Sequence, residues 1–76
     1  MKELLESIVK QPVNHPDEAR VSQVSGHSHN IFEIFLKEGD AGQVIGRDGK
    51  TIQSIRNIIW AIAHKRNEKV IIEIVE

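Results

Sequence analysis

The stretch Val44-Ile45-Gly46-Arg47-Asp48-Gly49-Lys50-Thr51-Ile52 constrains this chain more than any other. Apolar residues recur at helical spacing on both sides of it. Two glycines three positions apart break what would otherwise be one long helix. Glycine reaches positive φ at little steric cost and carries no Cβ. The chain must therefore turn sharply between two helices, and a foreign backbone can approach that turn closely.

The elements around the turn follow from periodicity. Downstream, Ile52, Ile55, Ile59 and Ile62, with Ala63 beside them, form the stripe of a helix running from Gly49 or Lys50 to about Lys65. Asn67 suits a left-handed close. Upstream, Asp40 with Gln43 three residues on fits a capping box for a short helix from Ala41 to Ile45. Residues 31–37 alternate as a strand, with Phe32, Ile34 and Leu36 on the core face. Ile31, Glu33, Phe35 and Lys37 take the other face, which leaves Phe35 as a large apolar group outside. Residues 69–75 repeat the pattern, with Val70, Ile72 and Ile74 inward and Ile71, Glu73 and Val75 outward.

The N-terminal half is less regular. Residues 2–10 form an amphipathic helix through Leu4, Leu5, Ile8 and Val9, and Pro12 ends it. Residues 14–17 read as a turn. Residues 18–25 are a weaker strand whose Val21 and Val24 do not alternate, which fits an edge position or a bulge. Gly26-His27-Ser28-His29-Asn30 joins this strand to the next as a hairpin loop.

The order is helix, strand, strand, helix, helix, strand. Two helices between the second and third strands make a crossover, which permits parallel pairing of the last strand. The expected fold is α+β, a three-stranded mixed sheet with helices on one face, as a single domain over residues 1–76. At 76 residues the chain buries about 60% of the surface its unfolded form exposes. That leaves little volume for a deep, water-excluding active site.

Chemistry-bearing motifs of enzymes are missing. There is no cysteine, and none of the serines sits in an activating motif. Gly49-Lys50-Thr51 ends like a nucleotide-binding P-loop, but the first glycine of that motif would fall at Val44. His27 and His29 are too few for a metal site and read as polar loop residues, and His15 and His64 have no partner visible in sequence. No metal, no cofactor and no catalysis are expected. The missing cysteines favour a reducing, cytoplasmic setting. No stretch approaches the roughly 18 apolar residues of a membrane span.

Charge is unevenly placed. The net charge is −1, yet residues 46–69 carry six Lys and Arg against two acids, while residues 1–45 carry four against seven. This is a local positive footprint. Within it, the turn should expose the first free N–H groups of the following helix, where amides and helix dipole favour an anion. Arg47 and Lys50 add positive charge. Everything at the turn suits a phosphate, although a G-x-x-G by itself often makes only a tight helix–helix turn.

The flanks go further. V-I-G-R-D-G-K-T-I-Q-S-I-R resembles the signature of K-homology (KH) domains, V-I-G-x-x-G-x-x-I-x-x-I-R, and the element order resembles the type II, bacterial form of that fold. In size and in its terminal helix the chain is similar to small single-KH bacterial proteins, the KhpA-like family. The resemblance implies non-catalytic binding of single-stranded RNA, about four nucleotides held between the G-x-x-G loop and a groove. It assigns Gly46, Arg47, Asp48 and Gly49 to the backbone clamp and Ile45 and Ile52 to the groove. Lys50 is a phosphate contact by charge and position. Asp48 is the departure: it is acidic beside the clamp, and it is expected to cap the next helix and turn away from RNA.

The long helix is apolar over more than one stripe, with Ile58 on one flank and Trp60 on the other. Either they cover the rim of the core or they form a dimer surface. The family resemblance implies self-association, or pairing with a larger KH-containing protein, and favours the dimer surface. The overall expectation is an RNA-binding module of weak sequence preference, acting as an RNA chaperone or post-transcriptional regulator. The alternative is a protein-interaction adaptor whose G-x-x-G turn is purely structural.

Overall fold

The computed structural model describes residues 1–26 and 29–75. Helix α1 spans Lys2–Lys10, strands β1 and β2 span Arg20–Ser25 and Asn30–Phe35, helices α2 and α3 span Ala41–Ile45 and Lys50–Lys65, and strand β3 spans Val70–Val75. The sheet order is β1-β2-β3, with β1–β2 antiparallel and β2–β3 parallel. The α2–α3 crossover makes that parallel pair possible.

One hydrophobic cluster holds the layers together. Leu5 and Val9 of α1, Val44 of α2, and Ile52, Ile55, Ile59 and Ala63 of α3 pack against Val21, Phe32, Ile34, Val70 and Ile72 of the sheet. These positions follow the expected stripes, with three exceptions on the helices: Leu4 is exposed, and Ile8 and Ile62 are only half-buried. Val13 and Ala19, in the irregular connection between α1 and β1, join the core as well.

The strand ends are decided by pairing. Alternation carries the second strand to Lys37, but β2 stops at Phe35. Its last partners are Arg20, where β1 begins, and Val75, where β3 ends. Residue 36 keeps its inward direction and is half-buried without a ladder partner. β1 starts at Arg20 because Pro16–Glu18 forms a 3₁₀ turn before it. Its register on β2 is continuous from Arg20↔Phe35 to Ser25↔Asn30, so β1 is an edge strand with no bulge. Val21 faces the core and Val24 faces out, 49% exposed. The hairpin closes with the Gly26 N–H donating to the His29 carbonyl. His27 and Ser28, and with His27 the His-x-His pair, lie outside the described residues.

The outer sheet face forms a regular grid. Val24, Ile31 and Ile71 lie side by side in one row, Ser22, Glu33 and Glu73 in the next, and Arg20, Phe35 and Val75 in the third. Phe35 is only half-buried there, and the Arg20 guanidinium sits over its ring, 4.3 Å from the centroid. A cation held on the ring face covers an apolar group that no helix reaches.

Two helix ends differ from one another. α3 ends as the sequence indicates: Asn67 adopts φ 56°, the Glu68 N–H donates to Ala63 O and the Asn67 N–H to His64 O, the paired bonds of a Schellman close. The capping box at α2 does not form. Asp40 occupies the N-cap position, but its side chain makes no cap bond. Its carboxylate is instead buried, 2% exposed, and accepts from the His15 backbone N–H at 2.9 Å, with His15 Nδ1 at 3.1 Å. A buried carboxylate needs donors. Those of His15, 25 positions away in the chain, tie the α1–β1 connection to the start of α2.

Candidate functional site

The turn between α2 and α3 is built by backbone geometry. Gly46 has φ 76° and ψ 176°, Asp48 φ 56° and ψ 26°, and Gly49 φ 74° and ψ 13°. Residues 46–50 form two overlapping turns, the second with Asp48 and Gly49 both left-handed, that project Arg47, Asp48 and Lys50 into solvent. Gly46 has a further reason to be glycine. A Cβ there would stand 2.6 Å from Thr51 Cβ, with the Thr51 hydroxyl closer still. Thr51, which sequence reasoning passed over, packs the first residue of the turn against the first turn of α3. Gly49 is different: nothing lies within 4 Å of a Cβ placed there. Only its left-handed conformation favours glycine.

The amides of the turn divide in two. The Gly46 N–H donates to Gly42 O and the Gly49 N–H to Gly46 O, while the Lys50 N–H donates to Arg47 O. Between them, the N–H groups of Arg47 and Asp48 meet no backbone acceptor among the described residues. The anion-ready amides are thus those of the turn itself. The expected site at the start of the following helix is partly closed, because the Lys50 amide is already used.

Asp48 does not cap α3. The cap position is Gly49, and no side chain bonds there. Asp48 instead supplies the one non-glycine left-handed residue of the turn, a conformation that Asp and Asn adopt more readily than other side chains. Ile52 is 6% exposed and belongs to the core. Ile45 is half-buried and packs against the same cluster. Of the two expected groove residues, only Ile45 keeps appreciable surface; Ile52 supports the turn from beneath.

Ile58 and Trp60 are exposed by 47% and 43%. At about 100° per residue they lie on opposite flanks of α3, so they cannot share one flat patch. The Trp60 flank faces the edge of β3, where its indole N–H donates to Val70 O at 3.1 Å. One turn earlier, Arg56 reaches Ile72 O at 3.4 Å. Gly49, Arg56 and Trp60 therefore follow one side of α3 away from the turn, placing a guanidinium and an aromatic ring in line with it. Arg56 closes the I-x-x-I-R part of the signature, and that position was the signal available for it in sequence.

The sequence model of the KhpA/KhpB KH domain matches residues 2–74. The chain belongs to this family. A relative from Clostridium acetobutylicum, named RNA-binding protein KhpA, is 44% identical over 99% of this chain and 100% of its own length. One of the same name from Chlamydia muridarum is 41% identical over 100% of this chain and 97% of its own. A third, from Thermotoga maritima, is 44% identical over 82% of this chain and 83% of its own. No solved structure matches significantly. The helix-strand-strand-helix-helix-strand order, with its parallel β2–β3 pair, is the type II KH arrangement expected from the element order read in sequence. No helix among the described residues is long and apolar enough to cross a membrane.

Proposed function

We propose that this chain is a single-domain, non-catalytic RNA-binding protein that clamps the backbone of single-stranded RNA at residues 46–49, over about four nucleotides. The observation that carries this reading is the turn. Its Arg47 and Asp48 amides are uncommitted, Arg47 and Lys50 project beside them, and Gly49 leaves room for a sugar-phosphate chain. Ile45 borders the clamp and Ile52 holds its floor. The relatives' name, RNA-binding protein KhpA, agrees. The family's bacterial relatives and the chain's lack of cysteine fit a role in the cytoplasm as an RNA chaperone or regulator.

One domain reading four nucleotides binds modestly. A dimer through the Ile58 flank of α3, with a second copy or with a larger KH-containing protein, places two clamps on one RNA and raises avidity. Trp60, on the other flank, lies beside the RNA path more naturally than in that interface.

Fluorescence anisotropy with a short single-stranded RNA tests the clamp. Arg47→Asp should weaken binding about tenfold or more, because it sets like charge against phosphate. Lys50→Ala should reduce the slope of log affinity against log salt by about 0.7, one phosphate on a single strand. Asp48→Asn, which tolerates the same backbone conformation and removes the repulsive charge, should tighten binding. Titrations that leave all three indistinguishable from wild type return the turn to a structural role and favour the adaptor.

A further inference from the structure

The outer face of the sheet carries a feature that the RNA reading does not use. Its central row sets Glu33 and Glu73 side by side on the parallel strands β2 and β3. Like charges directly opposite one another destabilise a sheet. No Lys, Arg or His pairs with either carboxylate among the described residues. The nearest cation on this face by register, Arg20, is engaged over Phe35. On one side of the acidic row lie Val24 and Ile71, exposed by 49% and 41%, with Ile31 between them; on the other lies the Phe35 ring. An unpaired acidic pair flanked by apolar rows is a costly surface to leave in water.

We propose that this face docks an amphipathic helix of another protein, with a Lys or Arg set into the Glu33–Glu73 pair and apolar residues one turn to either side. Strands lie about 4.8 Å apart, so three strands present a strip about 10 Å wide, the width of a helix. Alternate residues along a strand are about 6.7 Å apart, and residues i and i+4 on a helix about 6 Å. An apolar–basic–apolar series at i, i+4 and i+8 therefore matches the three rows. The carboxylates exclude RNA from this face. A second copy using the same face would bring glutamates against glutamates. All helices pack on the opposite side of the sheet, so the docked helix leaves the G-x-x-G turn free. The proposal stands independently of the RNA reading.

The probe is a synthetic helical peptide with Leu, Lys and Leu at i, i+4 and i+8 on one face, titrated into isotope-labelled full-length chain and followed by amide chemical shifts. A matched peptide with Glu in place of Lys is the control. Saturable shifts centred on Ile31, Glu33 and Glu73 are expected with the Lys peptide, unchanged when single-stranded RNA is also present. The E33K/E73K variant should bind the Lys peptide about tenfold more weakly or worse and gain affinity for the Glu peptide, since like charges across an interface are strongly disfavoured. Wild-type and variant spectra should agree at α3 and the turn, which shows that the variant is folded. The proposal is overturned if the two peptides shift the sheet face equally or not at all, or if the shifts map to α3. It is also overturned if the sheet-face signals move with protein concentration alone, which identifies a second copy as the occupant.

Discussion

Gly46 and Gly49 are three residues apart and both left-handed, yet they are not equivalent. At Gly46 the combination of φ 76° and ψ 176° is one that only glycine adopts freely, and the Thr51 side chain occupies the space of a Cβ. At Gly49 the space is open. Gly46→Ala should therefore destabilise the fold by about 2–3 kcal/mol and Gly49→Ala by about 1 kcal/mol, measured by urea denaturation. Equal losses would contradict the Thr51 contact. The same asymmetry makes Arg47, rather than Gly46, the position at which binding can be altered without disturbing the scaffold. Asp48 shows how one residue meets a backbone demand: its short polar side chain tolerates the left-handed turn, and it sets an acid beside Arg47 and Lys50.

α3 presents three different sides. Its Ile52, Ile55 and Ile59 stripe holds the core, its β3-facing side bears Arg56 and Trp60 with their bonds to strand carbonyls, and its far flank exposes Ile58. The two carbonyl bonds also blunt the free edge of β3, which would otherwise offer itself to another strand. If the Ile58 flank is the dimer surface, light scattering should find wild type as a dimer at tens of micromolar and Ile58→Asp as a monomer with an unchanged circular dichroism spectrum. A wild type that stays monomeric at that concentration removes the dimer from the account. Because Trp60 stands on the opposite flank, Trp60→Ala should leave the oligomeric state intact.

Across the whole molecule, one polar contact links segments that the core alone does not align. His15 and Asp40 join the α1–β1 connection to the start of α2, and α2 carries the first half of the turn. Asp40→Ala removes a buried acceptor of two donors and should cost about 2 kcal/mol of stability, read by denaturant unfolding. His15→Ala retains the backbone N–H donor and should cost less. If Asp40→Ala unfolds no more easily than wild type, the contact is incidental. The molecule also separates charge by face: the positive turn and α3 on the helical side, the acidic Glu33–Glu73 row on the bare side of the sheet. That separation lets a chain of net charge −1 present a positive surface around the turn.

The element order, the inward residues of β2 and β3, the helix α3 with its Asn67 close, and the turn at residues 46–49 were all legible in sequence. Each depends on local periodicity or on a backbone conformation that few residue types adopt. Long-range partners decided the rest. Strand ends were set by where neighbouring strands run out, and Asp40 gave up its helix cap for donors 25 positions away. The amides of the turn were sorted into bonded and open by the way its left-handed residues close onto α3. Hydrogen-bond partners and burial belong to pairs of residues, and a pair distant in the chain leaves no mark in the spacing of either one.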